Sequence, residues 1–146
     1  MVNNMWEAKT FQELNTRELY DLMNLRVKTF VVEQKRIYQE IDENDLHSIH
    51  LFKYKNNQMI AYARIFIENE HVTFGRVVTA KSNRGTGLGS DLIEEVLKVI
   101  DKKYPHKEII IEAQTYVEKF YEKFGFKSIG DVFLFNHTPH IKMFKN

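Results

Sequence analysis

Glycine occupies every second position in Arg84-Gly85-Thr86-Gly87-Leu88-Gly89, where an apolar run ending Val77-Val78-Thr79 gives way to an amphipathic helical pattern. Such a turn leaves several backbone N–H groups free at the positive end of a helix dipole, and the ligand it favours is phosphate. A Walker loop needs Lys-Ser/Thr after its last glycine, but Gly89 is followed by Ser90-Asp91. The dinucleotide fingerprint spaces its glycines G-x-G-x-x-G, whereas these run G-x-G-x-G. The spacing that does hold is R-x-x-G-x-G, met by Arg84, Gly87 and Gly89.

Side chains able to move a proton lie elsewhere. Tyr121 belongs to Val117, Phe120, Tyr121 and Phe124, an i, i+3, i+4, i+7 pattern that by itself describes a buried helical stripe. Glu33, Glu40, Asp42, Asp45, His50 and His140 are the possible bases, and each can equally be a solvated charge or a hydrogen-bonded structural group. His47 and His50 open an expected strand, where a separation of three points them to opposite faces, so no zinc site is expected.

The elements that must position these groups follow from pattern. Asn15-Thr16-Arg17-Glu18 reads as a capped helix start, and Leu19, Leu22, Met23, Val27, Phe30 and Val31 carry the helix to about Glu33. Residues 34–46 show no period and read as a loop. Runs at 49–54, 59–67 and 72–79, joined by short polar turns, predict an antiparallel meander, with Gly75 marking a bulge or close approach. Leu88, Leu92, Ile93, Val96, Leu97 and Ile100 share one helix face that stops near Pro105, and Ile109-Ile110-Ile111 is a short strand buried on both sides. A second short helix ends at Gly125, and 132–135 and 141–144 close the chain as strands. The outcome is an α+β or mixed α/β fold around one sheet.

Composition sets the frame. The 146 residues, 43% hydrophobic and 28% charged, with net charge +1, suit a single domain spanning 1–146. Twenty-one basic against twenty acidic residues give no global field for a polyanion, so neither nucleic acid nor a membrane surface is an expected partner. There is no cysteine, which removes disulfides and thiolate chemistry from the chain. Charges throughout the first thirty residues interrupt any apolar signal core, and a cytoplasmic protein is the expectation.

At Arg84, Gly87 and Gly89 the chain resembles the GNAT superfamily of acetyl-CoA-dependent N-acetyltransferases. Further blocks, Ala113-Gln114, Phe120-Tyr121-Glu122-Lys123-Phe124-Gly125-Phe126, Glu33-Gln34 with Tyr38-Gln39-Glu40-Ile41-Asp42, Phe74-Gly75-Arg76-Val77-Val78 and Pro139-His140-Ile141-Lys142-Met143, resemble its ElaA-like branch. The resemblance implies a single mixed sheet of about six to seven strands with helices on both faces. Strands 72–79 and 109–113 would splay around acetyl-CoA. Val77, Val78 and Thr79 would meet the pantetheine arm, Arg84, Gly85, Thr86, Gly87, Leu88 and Gly89 the pyrophosphate, with Gln114, Phe120 and Tyr121 nearby.

The reaction so implied needs a neutral amine, stabilisation of an oxyanion, and a proton for the departing thiolate. Free thiols titrate near ~8.5 and Tyr near ~10, which suits a neutral Tyr as donor, and the resemblance places the general acid at Tyr121. Glu40 is the candidate base, and the acidic 33–46 segment, bordering the acceptor side in such a fold, would favour a cationic primary amine on a small molecule or peptide. Without cysteine, transfer would be direct. The alternative is a non-catalytic acyl-CoA-binding or sensing module of the same fold, and either would be a monomer or homodimer.

Overall fold

Asn15 caps α1 (Thr16–Val27) reciprocally, its Oδ1 accepting the Glu18 N–H at 2.7 Å while the Glu18 carboxylate accepts the Asn15 N–H at 3.0 Å. A computed structural model provides this view and describes residues 5–146. The chain stays wound to Glu33 as its apolar spacing requires, but Lys28–Glu33 is a π-helix, with the Gln34 N–H on the Thr29 carbonyl at 3.1 Å and the Arg36 N–H on the Val31 carbonyl at 3.0 Å. Hydrophobic spacing over six residues does not separate π from α winding. Such wide turns recur at functional sites.

Seven strands form one sheet in the order β1-β2-β3-β4-β5-β7-β6. The expected meander is β2 (Ile49–Lys55), β3 (Gln58–Glu68) and β4 (His71–Thr79), and β1 (Trp6–Thr10) adds a fourth, outer strand. Asn56-Asn57 and Asn69-Glu70, with φ of 52°, 62°, 50° and 71°, make the left-handed two-residue turns that match strand twist. Helix α1 and α2 (Leu88–Lys103) both pack on β3, whose residues 59–66 are buried on both faces. β5 (Ile109–Gln114) leads through a 3-10 turn (Thr115–Val117) into α3 (Glu118–Glu122). Gly125, at φ +92°, ends that helix, and the Phe126 N–H closes onto the Tyr121 carbonyl at 3.3 Å. The closing strands β6 (Lys127–Phe135) and β7 (Thr138–Lys145) are longer than the 132–135 and 141–144 expected, because their outward residues are polar.

Two irregularities shape the sheet's centre. Parallel strands β4 and β5 pair only at Val72 and Ile109, with the Val72 N–H on the Glu108 carbonyl at 3.0 Å, and part beyond that point. On the other side of β4, Arg64 pairs with Gly75 and Tyr62 with Val78, so β4 carries one extra residue. The distortion expected at Gly75 is taken up by its neighbour: Arg76 has φ +52°, while Gly75 lies outside the left-handed region. Carboxylates gripping the Arg76 side chain hold it in that unfavoured conformation. No helix among the described residues is long and apolar enough to cross a membrane.

Candidate active site

The glycine turn meets α2 without a side-chain cap. Gly87, at φ +85°, is the N-cap residue, and the first helical bond runs from Asp91 N–H to its carbonyl at 3.2 Å. The amides of Leu88, Gly89 and Ser90 therefore have no helical acceptor and face the dipole's positive end. Gly85 takes φ +80°, and a Cβ added at Gly85 or Gly87 would meet nothing within 4 Å, so these glycines serve backbone conformation and leave the turn's outer side open. Thr86 braces the turn by donating its hydroxyl to the Asn83 carbonyl at 2.6 Å, and Leu88 is buried beneath. Thr86 and Leu88 also border a hollow of about 290 Å³ with Lys53 and Lys55. Asp91 lines the same hollow, and it is the free amides and the open outer side of the turn that fit a pyrophosphate.

The split between β4 and β5 opens into a cavity of about 710 Å³. Val77, Val78, Thr79, Arg84, Gln114, Phe120 and Tyr121 all line it, so these expected cofactor residues share one wall system with the glycine turn at its end. Tyr121 is only 7% exposed and packs edge-on against Phe74, Phe120 and Phe126. Burial pushes its phenol well above the ordinary range, with Tyr116 adding to the effect, so Tyr121 stays protonated at neutral pH.

The acidic segment is not an acidic rim. Arg26, fully buried, donates to Glu40 from Nε at 2.8 Å and Nη2 at 3.1 Å, and to Asp45 from Nη1 at 2.6 Å and Nη2 at 3.0 Å. Arg64 grips Asp42 through two nitrogens at 2.6 and 2.9 Å and reaches Asp45 at 3.0 Å, and Arg76 Nε lies 2.8 Å from Glu40 Oε2. Three guanidinium groups thus balance three carboxylates. Burial alone would push the Asp45 carboxyl up, but Arg26 and Arg64 more than offset it and hold it below the usual carboxylate range; Asp42 is lowered by Arg64 and Arg76 in the same way.

Glu40, the candidate base, has both its oxygens engaged by arginines and does not line the cavity, which argues against the role expected of it. Its backbone carbonyl also accepts from Arg76 Nη2 at 2.8 Å, tying the loop to the β4 bulge. His50 is buried as well, bonded to the Tyr62 hydroxyl at 2.6 Å and the Asp45 carbonyl at 2.9 Å, away from the cavity wall. Glu33 does reach the cavity but pairs with Arg84 at 2.8 Å.

His140 differs from the other candidates. It lines the cavity, stacks on Phe133 and donates from Nδ1 to the Thr138 carbonyl at 2.8 Å. That bond places the neutral ring's proton on Nδ1 and leaves the Nε2 lone pair available, with no protein partner among the described residues. Sequence pattern names His140 only among many, and the acceptor that fixes its tautomer is a backbone carbonyl that any residue at 138 would supply.

The split pair, its cavity and the uncapped glycine turn are the features on which the comparisons with known proteins bear. Residues 12–146 match the family model of the acetyltransferase (GNAT) domain. The chain is 36% identical over 143 residues to protein ElaA of Escherichia coli strain K12, covering 94% of each. Its structure superposes on an acyl-CoA N-acyltransferase from Pseudomonas aeruginosa with a TM-score of 0.94 at 35% identity, covering 97% and 99% of the two chains. It superposes on E. coli ElaA itself with a TM-score of 0.92 at 34% identity over the whole of both. The acyl-homoserine lactone synthase BjaI, solved with SAM and isopentyl-CoA, shares the fold alone at 14% identity, with a TM-score of 0.77 over 97% of this chain and 82% of that one. The chain belongs to the GNAT acetyltransferase family, within its ElaA-like branch.

Proposed function

We propose that the protein transfers an acetyl group from acetyl-CoA directly to a primary amine. One observation carries this reading: the β4–β5 split opens a cavity lined by Tyr121 and by Arg84, the residue that heads the glycine-built helix start with its three uncapped amides. Crystallisation of the CoA-dependent acyl-homoserine lactone synthase BjaI with isopentyl-CoA in the same fold supports it.

Backbone groups of Val77 to Thr79, released from a β5 partner, would hold the pantetheine arm, and the amides of Leu88, Gly89 and Ser90 the pyrophosphate. When bound, acetyl-CoA supplies a thioester carbonyl open to nucleophilic attack. His140 Nε2 takes the proton the amine sheds as its N–C bond forms. Tyr121 Oη, kept protonated by burial, would act as the acid by donating a hydrogen bond to sulfur as the C–S bond breaks. Because a thiol is the stronger acid, the sulfur leaves as thiolate and the amine's proton stays on His140 until solvent takes it. Glu40, through Arg76, fixes the bulge beside which the carbonyl would lie.

Isothermal titration with acetyl-CoA, paired with thiol release over a panel of amines, tests the reading. Binding with turnover supports it. Binding with no thiol release for any amine assigns the fold to a non-catalytic acyl-CoA sensor instead, and no binding at millimolar cofactor overturns both.

A further inference from the structure

Resting on the acetyltransferase reading, we propose that the acceptor amine also carries a carboxylate, as an α-amino acid does, and that Arg36 receives it. Four arginines border the cavity: Arg36, Arg64, Arg76 and Arg84. Arg64 has Asp42 and Asp45, Arg76 has Glu40, and Arg84 has Glu33. Arg36 has no carboxylate among the described residues. Its Nη1 reaches Gln34 Oε1 at 3.4 Å and its Nη2 the Phe135 carbonyl at 3.5 Å, both neutral oxygens at the outer limit of hydrogen bonding. Its Nε is buried without a hydrogen bond, a feature it shares with Arg64 and Arg76, but of the three only Arg36 lacks a carboxylate.

A guanidinium stripped of water at one nitrogen and given no anion is an expensive arrangement, which a planar carboxylate relieves by bidentate pairing. The group is also held in place. The Tyr38 ring lies 4.5 Å from Arg36 Cζ and 5.7 Å from Arg76 Cζ, a platform between an unpaired and a paired cation. The bond to Phe135 sets Arg36 beside the β6–β7 turn, and the Phe135 ring stands 5.5 Å from the His140 ring. Through Phe135, Arg36 and His140 neighbour one another on the cavity lining, with the acceptor's amine assigned to His140 Nε2 and its carboxylate to Arg36. Glu40, Asp42 and Asp45 are neutralised by arginines and Glu33 by Arg84, while Glu68 and Glu112, which also line the cavity, have no arginine among the described residues and leave room there for a cationic amine beside the anion at Arg36.

The test compares each carboxylated amine with its truncated partner: leucine with leucinamide and isoamylamine, phenylalanine with phenethylamine. Thiol release is read for wild type and R36Q, with calorimetric binding of each amine to CoA-saturated protein. The proposal expects the carboxylated member to lead by about tenfold or more in kcat/KM. It also expects R36Q to raise KM for that member by a similar factor with kcat kept, while leaving the truncated amines and the acetyl-CoA Kd unchanged. It is overturned if truncated amines do as well, if R36Q affects both sets alike, or if no carboxylated amine binds the CoA-saturated protein. A tenfold loss of acetyl-CoA affinity in R36Q also overturns it, assigning the anion to a cofactor phosphate. Absence of acetyl-CoA binding in wild type is a separate result that removes the acetyltransferase reading itself.

Discussion

Arg84, at the head of the glycine turn, and Glu33, at the end of the π-helix, form an ion pair of 2.8 Å at the cavity wall, with both side chains more than one-third exposed. The pair holds the end of the π-helix against the glycine turn, and it occupies an arginine that the pyrophosphate of the proposed cofactor would otherwise attract. Exposed pairs of this kind are worth about 0.2–1 kcal/mol. E33Q should therefore tighten acetyl-CoA binding by up to about fivefold, the gain shrinking as salt rises. Weaker binding in E33Q would show instead that Glu33 contacts the cofactor.

Replacing Tyr121 by Phe keeps the ring contacts with Phe74, Phe120 and Phe126 and removes only the hydroxyl. We expect kcat to fall by about 10²-fold or more, with acetyl-CoA Kd and Tm unchanged. Equal turnover in Y121F would transfer the acid role elsewhere.

For His140, Asn is the informative replacement, because its amide can still donate to the Thr138 carbonyl while lacking the Nε2 position. H140N should lose about 10²-fold in kcat/KM at pH 7 and recover as pH rises and the acceptor sheds its own proton. A loss that does not change with pH would mark the residue as structural.

Arg26 offers a stability test. R26M removes one guanidinium from this balanced set and leaves Glu40, Asp42 and Asp45 with only Arg64 and Arg76, an uncompensated buried negative charge that should cost about 3–5 kcal/mol in denaturant unfolding. A change under 1 kcal/mol would show that water replaces the guanidinium.

Acid should unfold the protein in two stages. Burial lowers the His50 pKa below its ordinary 6.5, outweighing its bond to the Asp45 carbonyl, so the unfolded chain binds the extra proton first and stability falls as pH drops through 6.5. Asp42 and Asp45 are held below their ordinary 3.8, so their contribution is complete above that value and is lost as pH falls below it toward their folded pKa values. Tm measured from pH 8 to 2 should show both windows, and H50Q should abolish the upper one alone.

What could be read in advance was local. The Asn15 cap, the strand turns at Asn56-Asn57 and Asn69-Glu70, and the glycine turn all depend on residues within four positions of one another. The arginine network does not: Arg26 meets Glu40 across 14 positions and Asp45 across 19, and Arg64 meets Asp42 across 22. Without those long-range partners the carboxylates of 33–46 look solvated, and Glu40 looks available as a base. Strand β1 escaped for another reason: Glu7 and Lys9 break its apolar character, and Lys9 in fact turns inward to Glu18 at 2.7 Å.

The single backbone pair between Val72 and Ile109 makes the sheet, mechanically, two plates on a hinge, β1 to β4 on one side and β5 to β7 on the other. A ligand lying in the split would act as an inserted eighth strand, stitching the plates where the chain itself leaves them unsewn. Rigidity of the assembled sheet would then be borrowed from the cofactor and returned with each turnover.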